Sequence, residues 1–207
     1  MSDTPLHGIS AQTLMRDSSF VMKEHHCHSF FELIYIENGS CRFLINDAIH
    51  DMHAGDFILI PPYVLHYTSF PFGTCRLTIL FFSREDMGDR IVSYLPGSAD
   101  FLTESRIFQV PDAHRDHIAL AISQMVQELR IHDDRTSEMM RLLLQATLLQ
   151  CSRICNFLMD TPEQIHTTDR QIIQAAQFIC DHYMNPITSA DIARAAGFSP
   201  NYLSRQF

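Results

Sequence analysis

The sequence predicts a β + α protein: an antiparallel β-barrel or jelly roll, then two long helices, then a shorter all-α segment. Three observations predict this order. Short β-branched and aromatic runs recur between about residues 20 and 83, and turn-forming residues end each run. Apolar residues recur at helical spacing between about 112 and 160, and again from 169 onward. Many short strands at close, regular spacing favour a sandwich or barrel.

Turn-forming dipeptides and tripeptides separate the predicted strands. Asn38-Gly39 is well suited to a tight hairpin turn after the run 30–37. The remaining runs are 41–45, 48–53, 57–60, 65–70 and 76–82, and they are separated by Asn46-Asp47, Ala54-Gly55-Asp56, Pro61-Pro62 and Pro71-Phe72-Gly73. Their alternation of strand and turn predicts an antiparallel sandwich or barrel.

The two middle helices are predicted from apolar stripes. The first stripe consists of Ile118, Ala121, Ile122, Met125 and Leu129, and the second of Met140, Leu143, Leu144, Thr147, Cys151, Ile154, Cys155 and Leu158. The second helix has a further apolar side, formed by Leu142, Ala146, Leu149 and Phe157, which also has to be covered. That side either packs within the chain or pairs with a partner subunit, so a homodimer through residues 112–160 is one of two open alternatives.

Composition and charge exclude several classes of protein. The 207 residues are 46% hydrophobic and 19% charged, and no apolar run approaches the roughly 18 residues of a membrane span. The N-terminus lacks the pattern of a signal peptide, so we expect a cytoplasmic protein without a membrane partner. The net charge of −9 lies entirely before residue 169, which disfavours a surface that binds nucleic acid throughout. The 6 cysteines form no C-x-x-C pair and are expected to be reduced.

A group of histidines and a carboxylate is the candidate site. His26, His28 and Glu32 would share one face of a strand, because alternate side chains of a strand point the same way. His66, after the Pro61-Pro62 turn, could supply a fourth group from a neighbouring strand. Imidazole and carboxylate groups are ligands for first-row metals. The same polar wall could instead line a cavity for a small organic ligand.

These residues resemble the two signatures of the cupin superfamily over about residues 20 to 70. The first is carried by His26, His28, Glu32 and Gly39, and the second by Gly55, Pro61, Tyr63 (usually Gly) and His66. In cupin enzymes the positions matching His26, His28, Glu32 and His66 hold a metal ion. In cupin sensor domains of transcription regulators the same wall often lines an effector pocket without metal. The resemblance therefore implies an effector pocket, with a divalent first-row metal as the one cofactor it suggests.

The C-terminal segment has the signals of two short helices joined by a tight turn. Thr188 is a good N-cap, and Asp191 favours the first turn of the helix. Gly197 suits the left-handed turn that ends this helix. Ser199 and Pro200 then begin a second helix. The spacing fits either an ordinary αα-hairpin or a helix-turn-helix.

Residues 187–207, ITSADIARAAGFSPNYLSRQF, closely resemble the first helix-turn-helix of AraC/XylS-type transcription regulators. The order of segments also matches that family. It implies an effector-binding domain (1–110), a dimerisation segment (111–160), a linker (161–168) and an incomplete DNA-binding region (169–207). By the same resemblance, the residues that contact DNA are Ser199, Asn201, Ser204 and Arg205.

The sequence thus predicts a regulator that binds promoter DNA and responds to a small effector, a sugar or other metabolite, and that is not an enzyme. The alternative is a metal-dependent cupin enzyme, such as an isomerase or dioxygenase. The family carries a second helix-turn-helix, so we expect the natural protein to continue beyond Phe207. Residues 1–207 alone are expected to show negligible sequence-specific DNA binding in a gel shift.

Overall fold

The computed structural model describes residues 8–22, 26–45, 48–95, 105–154 and 185–199, the backbone at 156–158, and the single positions 171, 174, 175, 178, 179 and 182. The chain divides into two compact units, residues 1–159 and 160–207. Within the described residues, no helix has both the length and the hydropathy needed to cross a bilayer.

Unit 1 contains two antiparallel sheets. The strands are β1 (Ser10–Arg16), β2 (Phe31–Asn38), β3 (Ser40–Ile45), β4 (Ala48–His53), β5 (Asp56–Ile60), β6 (His66–Ser69), β7 (Cys75–Phe82), β8 (Arg106–Gln109) and β9 (Asn156–Leu158). One sheet has six strands in the order β1-β7-β2-β5-β8-β9, and the other has three in the order β4-β3-β6. The predicted β + α class and the antiparallel strands are confirmed.

The six-stranded sheet is covered on both faces, which explains its unbroken apolar runs. Ile34 and Ile58 face the three-stranded sheet and share a core with its Phe43. Leu33 and Phe57, on the opposite face, pack against the helices. Strands β2 and β5 are therefore buried almost end to end, whereas β3 alternates between buried and half-buried positions.

The described part of unit 1 also contains four helices: α1 (Arg84–Met87), α2 (Asp89–Val92), α3 (Asp112–Glu128) and α4 (Thr136–Ile154). The predicted stripes supply their buried residues, which are Ile118, Ile122 and Met125 in α3 and Met140, Leu144, Thr147 and Cys151, among others, in α4. Among the described residues, Leu142 and Ala146 at the centre of the second apolar side of α4 are exposed. The cover of this side by a partner subunit remains a prediction.

The structure differs from the sequence prediction at three strands. The second helix ends at Ile154 instead of about 160, and Asn156–Leu158 pairs with β8 as β9. Strands β1 and β8 lie outside the predicted β region of about 20–83. Both exist because they extend the six-stranded sheet, β1 along β7 and β8 along β5. Pairing between distant segments leaves no local periodicity for sequence analysis to detect.

Unit 2 contains α5 (Ser189–Ala195) and helical backbone at 171, 174, 175, 178, 179 and 182. The predicted N-cap is present: the Thr188 hydroxyl accepts from the Asp191 N–H, and the Asp191 carboxylate accepts from the Thr188 N–H. Gly197 is left-handed, with φ 69°. Of the residues predicted to contact DNA, Ser199 is the last described residue of the chain and is exposed. The rest of the predicted second helix, including Asn201, Ser204 and Arg205, lies outside the described residues.

Candidate ligand-binding site

His26, His28, Glu32 and His66 lie together at one end of the core between the two facing sheets, a space that we call the barrel interior. One ligand atom from each residue can be chosen so that all four lie within 4.8 Å of one another. We call these residues the His–Glu cluster. Glu32 is on β2, on the face shared with Ile34, and His66 is the first residue of β6. The cluster therefore draws on both sheets.

The sequence prediction placed His26, His28 and Glu32 on a single strand, and this local geometry is wrong. Strand β2 begins only at Phe31, after both histidines. His26 instead forms an isolated antiparallel bridge with His66, with N–H to carbonyl distances of 3.1 and 3.0 Å. The four side chains meet because this bridge brings the segment before β2 beside β6.

Tyr63 occupies the position where the cupin signature usually has glycine. Its φ is +65°, a left-handed conformation that costs a tyrosine more than a glycine. Its N–H donates to the His28 carbonyl at 2.8 Å. The strained turn after Pro61-Pro62 therefore fixes the backbone of His28 within the cluster.

Backbone carbonyls set the tautomer of two histidines. The Nδ1 atom of His28 lies 2.8 Å from the Phe30 carbonyl oxygen, and that of His66 lies 2.9 Å from the Val64 carbonyl oxygen. A carbonyl oxygen only accepts hydrogen bonds, so Nδ1 carries the proton in both rings. When either ring is neutral, its Nε2 therefore presents a lone pair.

Both Nε2 atoms point at the same carboxylate oxygen. Glu32 Oε2 lies 2.9 Å from His28 Nε2 and 3.1 Å from His66 Nε2. The His66 atom is fully buried, and the angles at this contact give it no well-aligned hydrogen-bond partner among the described residues. Two lone pairs and an anionic oxygen repel one another, so the cluster needs positive charge, either added protons or a cation.

The protonation equilibria reflect this arrangement. Burial alone would raise the pKa of Glu32, but the polar contacts and the charge of His28 and His66 lower it to about 2. Burial would lower the pKa of His66, yet Glu32 raises it above its ordinary value. Without a bound cation, protons thus supply the positive charge that stabilises the carboxylate.

The surroundings of the cluster are apolar and aromatic. On the two strands beside β2, Ile60 and Phe81 stand directly opposite Glu32. The Phe30 ring stacks on His28 with centroids 4.1 Å apart, and Phe81 makes edge contacts with both rings. Phe81 is only half-buried, so an aromatic wall connects the cluster with the surface at this edge.

The sequence of this domain matches a known protein family. Residues 14–151, two thirds of the chain, match the AraC-like ligand binding domain. The chain belongs to this family. The matched part includes both sheets' central strands, the His–Glu cluster, helix α3 and most of α4. Members of this family are the ligand-binding domains of AraC-like proteins. The match therefore favours a regulatory role for this protein over an enzymatic one.

Two solved structures with TM-scores of 0.52 and 0.50 share the fold of this chain. An apo ToxT variant from Vibrio cholerae is 8% identical with a TM-score of 0.52, covering 97% of this chain and 74% of that one. Wild-type ToxT bound to an unsaturated fatty acid is 10% identical with a TM-score of 0.50, covering 96% and 72%. The AraC-like transcriptional activator CuxR is 13% identical with a TM-score of 0.48, covering 95% and 71%. No curated protein sequence matches the chain.

Sequence analysis found the four polar residues of the site but not its aromatic neighbours. Phe30 adjoins the histidine motif, yet its stacking on His28 depends on the irregular backbone before β2. Phe81 lies near the end of β7, and only the register of β2 against β7 places it opposite Glu32. A strand pattern does not determine register, so no sequence signal pointed to Phe81.

Proposed function

We propose that this protein is a ligand-responsive transcription regulator whose sensor domain binds a divalent first-row cation at the His–Glu cluster. The family match supports the regulatory part of the proposal. The cation part rests on one observation: two imidazole nitrogens with fixed tautomers converge on a single buried carboxylate oxygen.

The compactness of the cluster favours an ion over an organic molecule between these groups. All four ligand atoms fit within 4.8 Å, which leaves no room for a sugar-sized ligand among them. His26, His28, Glu32 and His66 would hold the cation, and hydrogen bonds from Nδ1 to backbone carbonyls would orient two of them. A bound cation supplies positive charge for oxygen atoms of a small effector, such as a sugar or other metabolite.

Cation binding is tested by calorimetric titration of the metal-free full chain with Zn²⁺ or Mn²⁺. We expect about one ion per chain and binding at least about 100-fold weaker in His66→Ala, since loss of a residue that merely orients a ligand already costs about 10–100-fold. Glu32→Gln should bind equally weakly yet fold well, because an amide N–H₂ can donate to both Nε2 lone pairs.

The matched control is His114→Ala, which removes an exposed histidine of α3 far along the chain from the cluster. It should bind the cation like the wild type. Equal affinities in His66→Ala, Glu32→Gln and the wild type would contradict the proposal. They would favour the alternative in which the same wall contacts an organic effector without metal.

We also propose that residues 169–207 contact DNA through Ser199, Asn201, Ser204 and Arg205. The capped α5 and the left-handed Gly197 support a helix-turn-helix at this position. Fluorescence anisotropy with a random-sequence duplex at low salt should show weak binding that Arg205→Ala reduces severalfold. Arg153→Ala, an exposed arginine of α4, should leave that binding unchanged; equal effects of the two variants would contradict the assignment.

The homodimer is proposed to use the uncovered side of α4. Leu142 is 53% and Met139 45% exposed, and Ala146 continues this side one turn further. Burying such a side between two copies would remove apolar area from water. Leu142→Asp should shift the sedimentation of the chain toward the monomer, and Ile49→Asp, at an exposed position on β4, should not. A wild-type monomer at all concentrations would refute the dimer.

A further inference from the structure

Two buried cysteines lie at the end of the barrel interior away from the His–Glu cluster. Cys41 is on β3 and Cys75 is the first residue of β7, so the two belong to different sheets. Both are reduced, fully buried and part of the same apolar core. Each thiol has the largest single effect on the pKa of the other, as expected for two neighbouring side chains of one core.

The backbone holds the two segments close together. Gly39 has φ +80°, and a Cβ at this position would overlap the Thr74 carbonyl oxygen and lie 3.0 Å from the Cα atom of Cys75. The hairpin between β2 and β3 is therefore pressed against the start of β7. Residues 71–74, which directly precede Cys75, are all exposed. The thiol pair thus lies just beneath a surface turn, within reach of a small oxidant after a local opening.

We propose that Cys41 and Cys75 form a reversible disulfide when the protein meets a two-electron oxidant of the peroxide class. The Cys75 thiolate attacks one peroxide oxygen, the O–O bond breaks, and Cys75 becomes a sulfenic acid while the other oxygen leaves as water. The Cys41 sulfur then attacks the Cys75 sulfur, and the second oxygen leaves as water with the remaining proton. Two thiols and one hydrogen peroxide give one disulfide and two waters.

Position in the fold assigns these two roles, because Cys75 directly follows the exposed residues 71–74 whereas Cys41 lies within β3. The interaction with Cys41 also lowers the pKa of Cys75, which favours Cys75 as the nucleophile. The interaction with Cys75, together with burial, raises the pKa of Cys41, which keeps its proton until the second step. The product would join the six-stranded sheet to the three-stranded sheet, and by restricting the unfolded chain it would stabilise the barrel.

The test oxidises the purified, reduced full chain with hydrogen peroxide in the presence of a chelator. Free thiols are then alkylated under denaturing conditions and mapped by mass spectrometry. Of the 6 thiols in the chain, two should be lost, a peptide linking Cys41 to Cys75 should appear, and dithiothreitol should reverse both changes. The oxidised chain should also melt at a higher temperature than the reduced one.

Variants separate the two cysteines. In Cys41→Ser the oxidation should stop at a sulfenic acid on Cys75, which dimedone traps. Cys75→Ser should lose the fast reaction with hydrogen peroxide. Cys151→Ser, which removes a buried cysteine of α4, is the matched control and should behave like the wild type. Thiol loss without the Cys41–Cys75 peptide in the wild type would overturn the proposal, and this mapping does not depend on any variant folding.

Discussion

The two ends of the barrel interior are built by the same strands but have opposite chemistry. Along β2 the interior positions are Glu32, Ile34 and Ile36, so one strand passes from a carboxylate to aliphatic side chains within five residues. Along β6 and the residues after it, His66 is followed by Thr68 and Phe70. The pleat brings every second residue to this interior, whatever its chemistry.

The two ends contribute differently to the stability of the domain: the apolar end stabilises it, whereas burying the charged groups of the polar end costs free energy. The apolar end gains free energy from burial and close packing. The His–Glu cluster places a carboxylate that is 7% exposed between apolar neighbours, and it needs added positive charge to be tolerated. We therefore expect changes at the two ends to affect different properties, and four experiments test this separation.

The largest effect on folding is expected at the apolar end. Phe43 is fully buried between the two sheets. Phe43→Ala should lower the free energy of unfolding by about 3–5 kcal/mol, because it removes a large side chain and leaves a cavity. Urea unfolding measures this change. A loss below about 1 kcal/mol would mean that the apolar end is loosely packed and that the contrast between the ends is false.

The second effect concerns the polar end and depends on ligand. A cation at about 100 times its Kd should stabilise the wild type by about 2.7 kcal/mol, since it binds only the folded chain. Thermal unfolding with and without the cation measures this gain. Phe43→Ala should retain most of it, whereas Glu32→Gln should keep no more than about 0.4 kcal/mol, since its affinity is at least about 100-fold weaker. A full gain in Glu32→Gln would place the cation elsewhere.

The third effect is the pH dependence of the metal-free protein. Because the pKa of Glu32 is lowered from 4.5 to about 2, its stabilisation is present above pH 4.5 and is lost as pH falls toward 2. Because the pKa of His66 is raised above 6.5, its stabilisation is present below pH 6.5 and is lost as pH rises through the raised value. The two groups therefore lose their stabilising effect at opposite ends of the pH range.

The cluster should contribute most to the free energy of unfolding between about pH 4.5 and 6.5. These limits are the ordinary pKa values of glutamate and histidine. Urea unfolding in chelator across about pH 2–8 measures the curve, since that range includes both the ordinary and the lowered pKa of Glu32 as well as the ordinary pKa of histidine. Glu32→Gln should flatten it on both sides, because His66 loses the partner that raises its pKa; an unchanged curve would contradict the assignment. Above pH 6.5 the stabilising contribution of the cluster falls, but the affinity for the cation should rise, because deprotonated histidine rings can bind it.

The smallest effect is expected two residues from Glu32 on the same strand. Ile34→Val removes one methylene from a buried side chain and should cost about 1 kcal/mol in the free energy of unfolding. Urea unfolding should give the same cost at every pH and with or without the cation. A cation-dependent cost would show that the two ends are mechanically coupled rather than separate.

Sequence analysis was sufficient for elements with a local signal. The N-cap of α5 and the turn at Gly197 could be predicted because capping depends on residues only three positions apart. Helices α3 and α4 followed from apolar stripes, and the central strands from turn residues. Strand β9 could not be predicted, because residues 156–158 continue the apolar pattern of α4 and become a strand only by pairing with β8.

The four residues of the candidate site were named from their types and spacing, although the predicted strand geometry around His26 and His28 was wrong. Their identity followed from sequence because the residue types and their spacing along the chain are local properties. Their geometry did not, because the bridge between His26 and His66 joins segments 40 positions apart. Neither Phe81 opposite Glu32 nor Cys75 beside Cys41 could be located without strand register.

The sequence alone was sufficient to name the four polar residues of the candidate site and the segments of α3, α4, α5 and the central strands, because these depend on side-chain type and short-range periodicity. It did not predict the short helices α1 and α2. The folded chain was needed to show that two lone pairs meet one carboxylate oxygen at one end of the barrel and that two thiols meet at the other. Those juxtapositions arise from long-range pairing and sheet packing, in which a shift of one residue would send every side chain to the opposite face.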